Sequence, residues 1–489
     1  MNKNKPSIKT FGELKAAGIK TRSVRDEMRE NLIEKIKTEA PVFAGIHGYE
    51  DSVLPEVQHA ILARHSMNLL GLRGQAKTRI ARGMIDLLDE WIPIVKGSEL
   101  NDDPYAPLSV FARNLLKEHG DETPITWMHR SERYVEKLAT PDVTISDLIG
   151  DVDPIKAMNM KLDYADERVI HFGLIPRANR SIFVINELPD LQPRIQVALF
   201  NILQEGDIQI RGFQLRLPLD VAFVFTANPE DYTNRGAIIT PLKDRIQSQI
   251  LTHYPRSIEI SGTITQQETR LTDEQRKAVV VPDLLSEMIE RVAFEARESE
   301  FIDQKSGVSA RLTISALENL VSTAELRMLQ SKSAQTTARV SDMLGIIPAV
   351  AGKVELVYEG EQEGPRNVAL HLLGKAIRTR FPQVFPNPET LKRKKQESPY
   401  DPIVDWFSTD HIELLASDDD QLYSDKLNSI GGLSELVDKY LPGTADRELW
   451  MEFALHGLGE FNLLNKEVLD QAVSFSDLMD TIFSDDDED

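Results

Sequence analysis

The sequence predicts an α/β fold in which a parallel sheet is flanked by helices and followed by helical regions. Three observations support this prediction. From about residue 41 to 255, short apolar runs alternate with helical stretches, as in stacked strand–helix units. A glycine-containing loop follows one of these apolar runs and precedes a helix. Between about 256 and 390, apolar residues recur with helical spacing.

The chain has 489 residues, too many for one hydrophobic core, so we expect several domains. Its first 40 residues carry an amphipathic helical pattern, with apolar positions at Val24, Met28, Leu32, Ile33 and Ile36. An exposed linker is indicated by the basic run Lys392-Arg393-Lys394-Lys395. We therefore predict a helical extension, an α/β domain, a helical region, a linker and an acidic helical region, at 1–40, 41–255, 256–390, 391–400 and 401–489.

Composition and charge exclude several classes of protein. Residues 401–489 hold 23 Asp and Glu against 4 Lys and Arg, so most of the net charge of −22 lies there. This balance argues against a protein that coats nucleic acid, and leaves only local basic loops for such a contact. No apolar run is long enough to span a membrane, and the first residues lack the pattern of a signal peptide, so we expect a cytoplasmic protein. The absence of cysteine excludes disulfides, thiolate nucleophiles and cysteine-held metals.

Three apolar runs are predicted to be neighbouring strands, and each ends in polar residues. They are 67–70, 181–185 and 221–225. In open α/β sheets the ligand crevice lies at the carboxyl ends of the strands. The residues that follow these three runs are therefore the candidates for chemistry.

The first run is followed by the loop Gly71-Leu-Arg-Gly74-Gln75-Ala76-Lys77-Thr78-Arg79. Such a loop binds phosphates through its backbone N–H groups, while Lys77 neutralises the β- and γ-oxygens and the Thr78 hydroxyl holds Mg²⁺. The general pattern GxxxxGK[ST] has glycine where this chain has Ala76. Ala76 keeps its N–H, so the loop can still work if this position has ordinary helical dihedral angles and room for a methyl. A chance turn followed by a surface lysine is the alternative interpretation.

The second run leads into Asn186 and Glu187. Glu187 is placed to orient or deprotonate an attacking water, as in-line phosphoryl transfer requires. Asn186 stands where an aspartate is usual, and its amide oxygen can still accept from a Mg²⁺-bound water without supplying the negative charge. The alternative is a buried strand that ends in two turn-forming residues.

The third run ends before Asn228, whose neutral amide can hold the lytic water beside Glu187. Downstream, Arg245 and Arg311 are isolated arginines that can stabilise charge on a transferring phosphoryl group. Taken alone, either arginine would be read as part of a surface ion pair.

In order and spacing, these motifs resemble AAA+ ATPases, specifically the branch of MoxR proteins and the ATPase subunit of magnesium chelatase. The resemblance covers about residues 41–330, and in that branch the phosphate loop commonly ends in Ala-Lys-Thr. It also includes the run that starts at Ile46-His-Gly-Tyr, an insert near Leu148–Pro154 and a hairpin that begins near Leu203.

The resemblance implies a role for each candidate residue. Lys77 and Thr78 would be the Walker A pair and Glu187 the Walker B glutamate. Asn228 would be sensor 1, Arg245 the arginine finger offered to a neighbouring subunit, and Arg311 sensor 2 in a helical lid. ATP and Mg²⁺ are the implied ligands.

The resemblance further implies a ring of identical subunits, with six as the expected number. Such motors typically act with a partner that carries a von Willebrand A domain, which would be a separate protein because no Asp-x-Ser-x-Ser motif occurs here. The leading hypothesis is thus a ring ATPase that remodels or matures a partner protein. The alternatives are a transcriptional activator of an alternative sigma factor, a DNA-translocating helicase, and a nucleotide switch with little hydrolysis.

Overall fold

The computed structural model describes residues 5–162, 166–205, 208–210, 213–215, 217–229, 237–469 and 472–478. The chain forms two compact units that meet in sequence between Tyr254 and Pro255. Among the described residues, no helix is both long and apolar enough to cross a membrane.

The first unit contains a parallel sheet of five strands, which confirms the predicted fold class. In chain order we label the strands β1 Met67–Leu70, β2 Tyr134–Leu138, β3 Ser181–Asn186, β4 Val221–Ala227 and β5 Ser248–Leu251. Their spatial order is β5-β1-β4-β3-β2, and all four pairings are parallel. The three runs predicted from sequence are therefore the three central strands.

Both faces of this sheet are covered. Every residue of β3 and β4 is buried. Side chains alternate between two hydrophobic clusters: Val184 and Val224 pack on one face, Phe183 and Phe223 on the other. Continuous apolar runs are typical of parallel strands because helices cover both sides of the sheet.

Helices and short strand pairs surround the sheet. The α-helices described in this unit are Phe11–Ala16, Val24–Lys37, Val53–Leu62, Lys77–Gly83, Val110–His119, Ile145–Leu148, Pro154–Met160, Leu174–Arg177, Pro193–Glu205 and Thr240–Arg245. Three antiparallel pairs join Trp91–Val95 to Ile125–His129, Gly150–Val152 to Ile170–Phe172, and Ile208–Ile210 to Phe213–Leu215. The last two pairs coincide with the insert and the hairpin that the resemblance implies.

The N-terminal residues form two helices, of which the second carries the predicted amphipathic pattern. In Val24–Lys37, the side chains of Val24, Met28 and Leu32 are buried, whereas Ile36 at the end of the helix is about half exposed. The first helix packs Phe11 and Leu14 against the strand Ile125–His129. Both N-terminal helices therefore share cores with the α/β unit.

The second unit is mostly helical. Its α-helices are Ile258–Glu268, Asp273–Ala278, Asp283–Glu298, Arg311–Gln330, Ile347–Ala351, Tyr358–Glu363, Pro365–Arg380, Pro388–Lys394, Asp401–Phe407, Asp420–Asn428, Leu433–Tyr440 and Arg447–Glu460. Two short strands, Val279–Val280 and Thr336–Thr337, pair in parallel. The acidic region adds an antiparallel sheet in which Ala472–Ser476 lies between Ile412–Leu415 and Asn465–Val468.

One hydrophobic cluster runs from Val279 to Phe475 through the predicted lid and the acidic region. Polar contacts join the same two segments, since Glu452 accepts from the backbone N–H groups of Val340 at 2.7 Å and of Ser341 at 2.8 Å. The helix Pro388–Lys394 occupies the first part of the predicted linker. The finer division at 391–400 stays a prediction.

Candidate nucleotide-binding site

The glycine-containing loop leaves the carboxyl end of β1 and enters the helix Lys77–Gly83, as the sequence predicts. Gly71 must be glycine, because a Cβ there would lie 2.0 Å from Thr252 Oγ1 and 2.2 Å from Gln75 Oε1. Those two atoms form a buried hydrogen bond of 2.7 Å between the loop and the segment after β5. The loop backbone is thus packed tightly against its neighbours.

Ala76 does not have ordinary helical dihedral angles. Its φ of 55° and ψ of 14° are left-handed, the conformation that glycine takes without a steric cost. The condition set from the sequence is therefore not met, because Ala76 precedes the first helical residue and lies where the chain reverses into the helix. Gly74 also has a positive φ, of 76°.

Lys77 lies at the centre of the site. Its side chain is buried and its ammonium donates to the carbonyl oxygens of Gly71 and Leu72, the latter at 3.0 Å. It also donates to Asn228 Oδ1 at 2.6 Å, which joins the loop to the end of β4. A surface lysine after a chance turn would have none of these contacts, so this alternative is excluded.

Asn228 connects Lys77 to Glu187. Its amide nitrogen donates to Glu187 Oε2 at 2.7 Å, while its amide oxygen accepts from Lys77. Because an ammonium only donates and a carboxylate only accepts, the amide has only one orientation that satisfies both partners. The three residues follow the carboxyl ends of β1, β3 and β4, as predicted for a crevice at this edge of the sheet.

A second series of hydrogen bonds joins the backbone of Glu187 to β2. The backbone N–H of Glu187 donates to Thr226 Oγ1 at 3.1 Å, and the Thr226 hydroxyl donates to Asn186 Oδ1 at 3.2 Å. The Asn186 amide nitrogen donates to Glu136 Oε1 on β2 at 2.6 Å. Glu187 itself has a left-handed backbone, with φ of 55° and ψ of 52°. The turn after β3 is therefore held by hydrogen bonds on both sides of this residue.

Two tyrosines support the loop from outside. The Tyr49 hydroxyl donates to the carbonyl oxygens of Gln75 at 3.0 Å and His253 at 2.6 Å, and Tyr254 donates to the carbonyl of Arg73 at 2.9 Å. Burial raises the pKa of Tyr49, so its hydroxyl stays protonated and keeps donating at neutral pH. These contacts fix two backbone positions of the loop, Arg73 and Gln75, and join the loop to the segment after β5.

Comparison with known proteins gives two partial sequence matches. Over 141 residues the chain is 27% identical to the magnesium-chelatase 38 kDa subunit of Cereibacter sphaeroides, which covers 27% of this chain and 40% of that protein. Over 116 residues it is 28% identical to the hydrogenase transcriptional regulatory protein HoxA of Cupriavidus necator, which covers 23% of this chain and 24% of that protein. The matches thus span less than half of either relative. No family model matches the chain.

Among solved structures, the chain is similar to a cryo-EM-based model of the complex between subunits BchI and BchD of magnesium chelatase. The identity is 20%, the TM-score is 0.33, and the match covers 66% of this chain and 98% of that one. The parallel sheet, the phosphate-type loop and the chelatase match agree with the resemblance stated from the motifs. The chain thus resembles AAA+ proteins of the MoxR and magnesium-chelatase branch.

The structure brings some predicted site residues together and leaves others apart. Asn228 contacts both Lys77 and Glu187, Asn186 is joined to the Glu187 backbone by two hydrogen bonds through Thr226, and Thr78 directly follows Lys77. The side chain of Arg79 is exposed. These positions agree with the predicted roles, which stay predictions.

The two predicted arginines lie on other elements. Arg245 ends the helix Thr240–Arg245, donates to Gln204 Oε1 at 3.1 Å, pairs with Asp244 and lies over the ring of Phe200. Arg311 begins the helix Arg311–Gln330 of the second unit, and its side chain is exposed. The roles of both arginines stay predictions.

Sequence reasoning missed several residues of the site. Glu136, Thr226 and Tyr254 were not singled out, and Tyr49 was noted only as part of a matching run. A signal for Glu136 exists, because it is an acidic residue inside a short strand, where charged side chains are depleted. Its partner Asn186 lies 50 residues away, so only the strand order brings the two together.

Proposed function

We propose that this chain binds ATP with Mg²⁺ at the Lys77 site and hydrolyses it to drive changes in a partner protein. The observation that carries the proposal is the continuous contact from Lys77 through Asn228 to Glu187. It links the residue that would hold the phosphates to the carboxylate that would act on water. Phosphoryl transfer depends mainly on such positioning and on charge stabilisation.

The donor groups of the site fit a phosphate chain. Lys77 is a buried cation that already contacts oxygen atoms of the loop. Phosphate oxygens would replace those carbonyl acceptors and would gain a charge-assisted hydrogen bond. The tight packing at Gly71 holds the loop backbone in place without help from a ligand.

The residues of the site fit a Mg²⁺ ion that would be held jointly by the protein and the nucleotide phosphates, rather than by protein groups alone. Among the described residues, no three His, Cys, Asp or Glu side chains cluster closely enough to hold a metal by themselves. Mg²⁺ usually keeps several waters and is held by one or two protein groups together with substrate phosphates. Thr78 and Asn186 would supply oxygen contacts here, and the bound ion would neutralise charge on the phosphates.

In the proposed reaction, Glu187 orients or deprotonates the attacking water. Asn228 holds the carboxylate of Glu187 through a hydrogen bond and presents its amide to the same space. Because Asn228 contacts Lys77 as well, phosphate binding at Lys77 would change the contacts of Asn228 and thereby of Glu187. The site therefore contains a direct path from nucleotide binding to the position of the base.

We further propose that the chain works as a ring of identical subunits, six in number, with Arg245 acting on the site of the neighbour. A separate protein with a von Willebrand A domain is the proposed partner. Support comes from the chelatase match and from the position of Arg245, which directs no described hydrogen bond to the Lys77 cluster.

The variant Glu187→Gln tests this function. It should bind ATP with unchanged affinity while phosphate release falls by about 10²-fold or more, because the base is lost. Glu118→Gln, on the exposed face of Val110–His119, is the matched control and should hydrolyse normally. Unchanged hydrolysis in Glu187→Gln would remove Glu187 from this role.

Partner identity is tested with the same variant. Tagged Glu187→Gln protein, with and without ATP, should recover a von Willebrand A protein from extract only with ATP, as identified by mass spectrometry. The match to a transcriptional regulatory protein favours one second candidate, an activator of an alternative sigma factor. Recovery of RNA polymerase with its sigma factor would support that candidate instead.

A further inference from the structure

We propose that Glu136 supplies the carboxylate charge that Asn186 lacks at the Mg²⁺ side of this site. The inference rests on the proposed function and concerns how this chain completes it. In the sequence, Asn186 occupies the position where an aspartate is usual, which removes one negative charge. In the structure, a carboxylate from the next strand lies in direct contact with that amide.

The contact between Glu136 and Asn186 joins two neighbouring strands of the sheet. β2 and β3 pair in parallel, with Glu136 opposite Val184 and Leu138 opposite Asn186. Glu136 therefore lies two residues below Asn186 on the same face, and its side chain is long enough to reach up to it. Its Oε1 accepts from Asn186 Nδ2 at 2.6 Å.

The direction of the hydrogen bonds is determined by chemistry. A carboxylate only accepts, so the Asn186 amide nitrogen must face Glu136 and its oxygen must face Thr226. The Thr226 hydroxyl then donates to that oxygen and accepts from the Glu187 N–H. Glu136 thus orients Asn186, and through it the turn that carries Glu187.

An aspartate at position 186 would not be compatible with this arrangement. One of its carboxylate oxygens would take the place of the amide nitrogen, 2.6 Å from Glu136 Oε1. Two carboxylates at that distance cannot both stay ionised without a cation between them. Asparagine at 186 and glutamate at 136 are therefore matched, and the number of carboxylates at this edge stays at two, Glu136 and Glu187.

Glu136 is held in place from its other side. Arg82 donates to Glu136 Oε2 at 3.0 Å and Tyr134 does so at 3.2 Å. Arg82 lies on the helix that begins at Lys77, so Glu136 connects this helix to Asn186. Its Oε1 faces Asn186, while Oε2 carries the two donors. The side chain is about one-fifth exposed and is therefore reachable by waters bound to an ion.

The test measures how much Mg²⁺ strengthens binding of a non-hydrolysable ATP analogue, as the ratio of Kd in EDTA to Kd in Mg²⁺ by titration calorimetry. In Glu136→Gln this ratio should fall by about 10-fold, the lower end of the effect of removing a group that orients a metal ligand. The Kd in EDTA should not change. The exposed Glu132→Gln is the matched control and should behave as the unmodified chain.

The double variant Glu136→Gln/Asn186→Asp moves the charge back to β3 and should restore the ratio to within about threefold of the original. Thermal melts of each variant serve as the control for folding. An unchanged ratio in Glu136→Gln, or a double variant no better than Glu136→Gln, would overturn the inference. Absence of nucleotide binding in the unmodified chain would instead overturn the proposed function.

Discussion

Asn228 donates to Glu187 at 2.7 Å while it accepts from Lys77 at 2.6 Å, so one amide joins the cation and the carboxylate of the site. Both distances are short because each bond has a charged partner. Neither contact is local in sequence, since Asn228 lies 151 residues from Lys77 and 41 from Glu187. Under the proposed function, this amide would couple the phosphate side of the site to the water side.

Replacing the amide of Asn228 should remove the connection between Lys77 and Glu187. Asn228→Ala should lower the maximal rate of ATP hydrolysis by about 10²-fold, because Glu187 loses the donor that positions it. The KM for ATP should change much less, since Lys77 and the loop that would bind the phosphates are not altered. Steady-state phosphate release over a range of ATP concentrations separates the two effects. A large rise in KM with an unchanged maximal rate would contradict the assignment.

Ala76 should tolerate glycine better than most positions at the start of a helix. A non-glycine residue in left-handed geometry costs about 1–2 kcal/mol, and Ala76→Gly removes that cost while adding freedom to the unfolded chain. We expect the first unit to gain up to about 1 kcal/mol in its free energy of unfolding, as measured with denaturant. Ala112→Gly, inside the helix Val110–His119, should lose about 1 kcal/mol and is the control. A loss in Ala76→Gly as large as in the control would contradict the dihedral argument.

The buried pair Glu27–Arg133 should be a major contributor to the stability of the first unit. Arg133 donates twice to Glu27, at 2.7 and 2.6 Å, and both side chains are almost fully buried. Glu27→Ala leaves the guanidinium buried without this partner, so we expect a loss of about 3–5 kcal/mol in the free energy of unfolding. Asp121→Ala removes the exposed pair with Lys15 and should cost at most about 1 kcal/mol. Equal losses in the two variants would show that burial of the first pair is not the deciding factor.

Glu290 should make the second unit sensitive to pH. Burial raises the pKa of this carboxyl above its ordinary value of 4.5, although hydrogen bonds from Ser261 and Thr265 and the charge of Arg297 act in the opposite direction. Its Oε2 has no hydrogen-bond partner among the described atoms. Glu290 is one of the residues that line a pocket of about 600 Å³.

Because the folded pKa is raised, the stability contribution of Glu290 is fully present below pH 4.5 and is lost as the pH rises through the folded pKa. Glu290→Gln should therefore be more stable than the unmodified chain at neutral pH, and this difference should vanish as the pH falls toward 4.5. Thermal melts of both proteins between acid and neutral pH measure it. Glu300→Gln, an exposed site in the same unit, should show no such trend. A difference that grows as the pH falls would contradict the sign.

Much of the α/β unit was predictable because its signals are local. Apolar runs of four to seven residues that end in polar side chains indicated β1, β3 and β4. The loop between β1 and its helix was recognisable from Gly71, Gly74 and Lys77. The acidic C-terminal sheet was not predicted, since its strands are short and separated by helices. Periodicity distinguishes strands poorly when each has only four or five residues.

By itself, the sequence determined the fold class and the positions of the central strands, and it predicted roles for Lys77, Glu187 and Asn228. These follow from side-chain type and from spacing along the chain, which folding does not alter. Only the tertiary structure decided that Glu136 contacts Asn186 and that Ala76 is left-handed. The contact depends on which strands are neighbours in the sheet, and the dihedral angle depends on how the loop is packed. Both are set by the free energy of the whole fold rather than by any short segment.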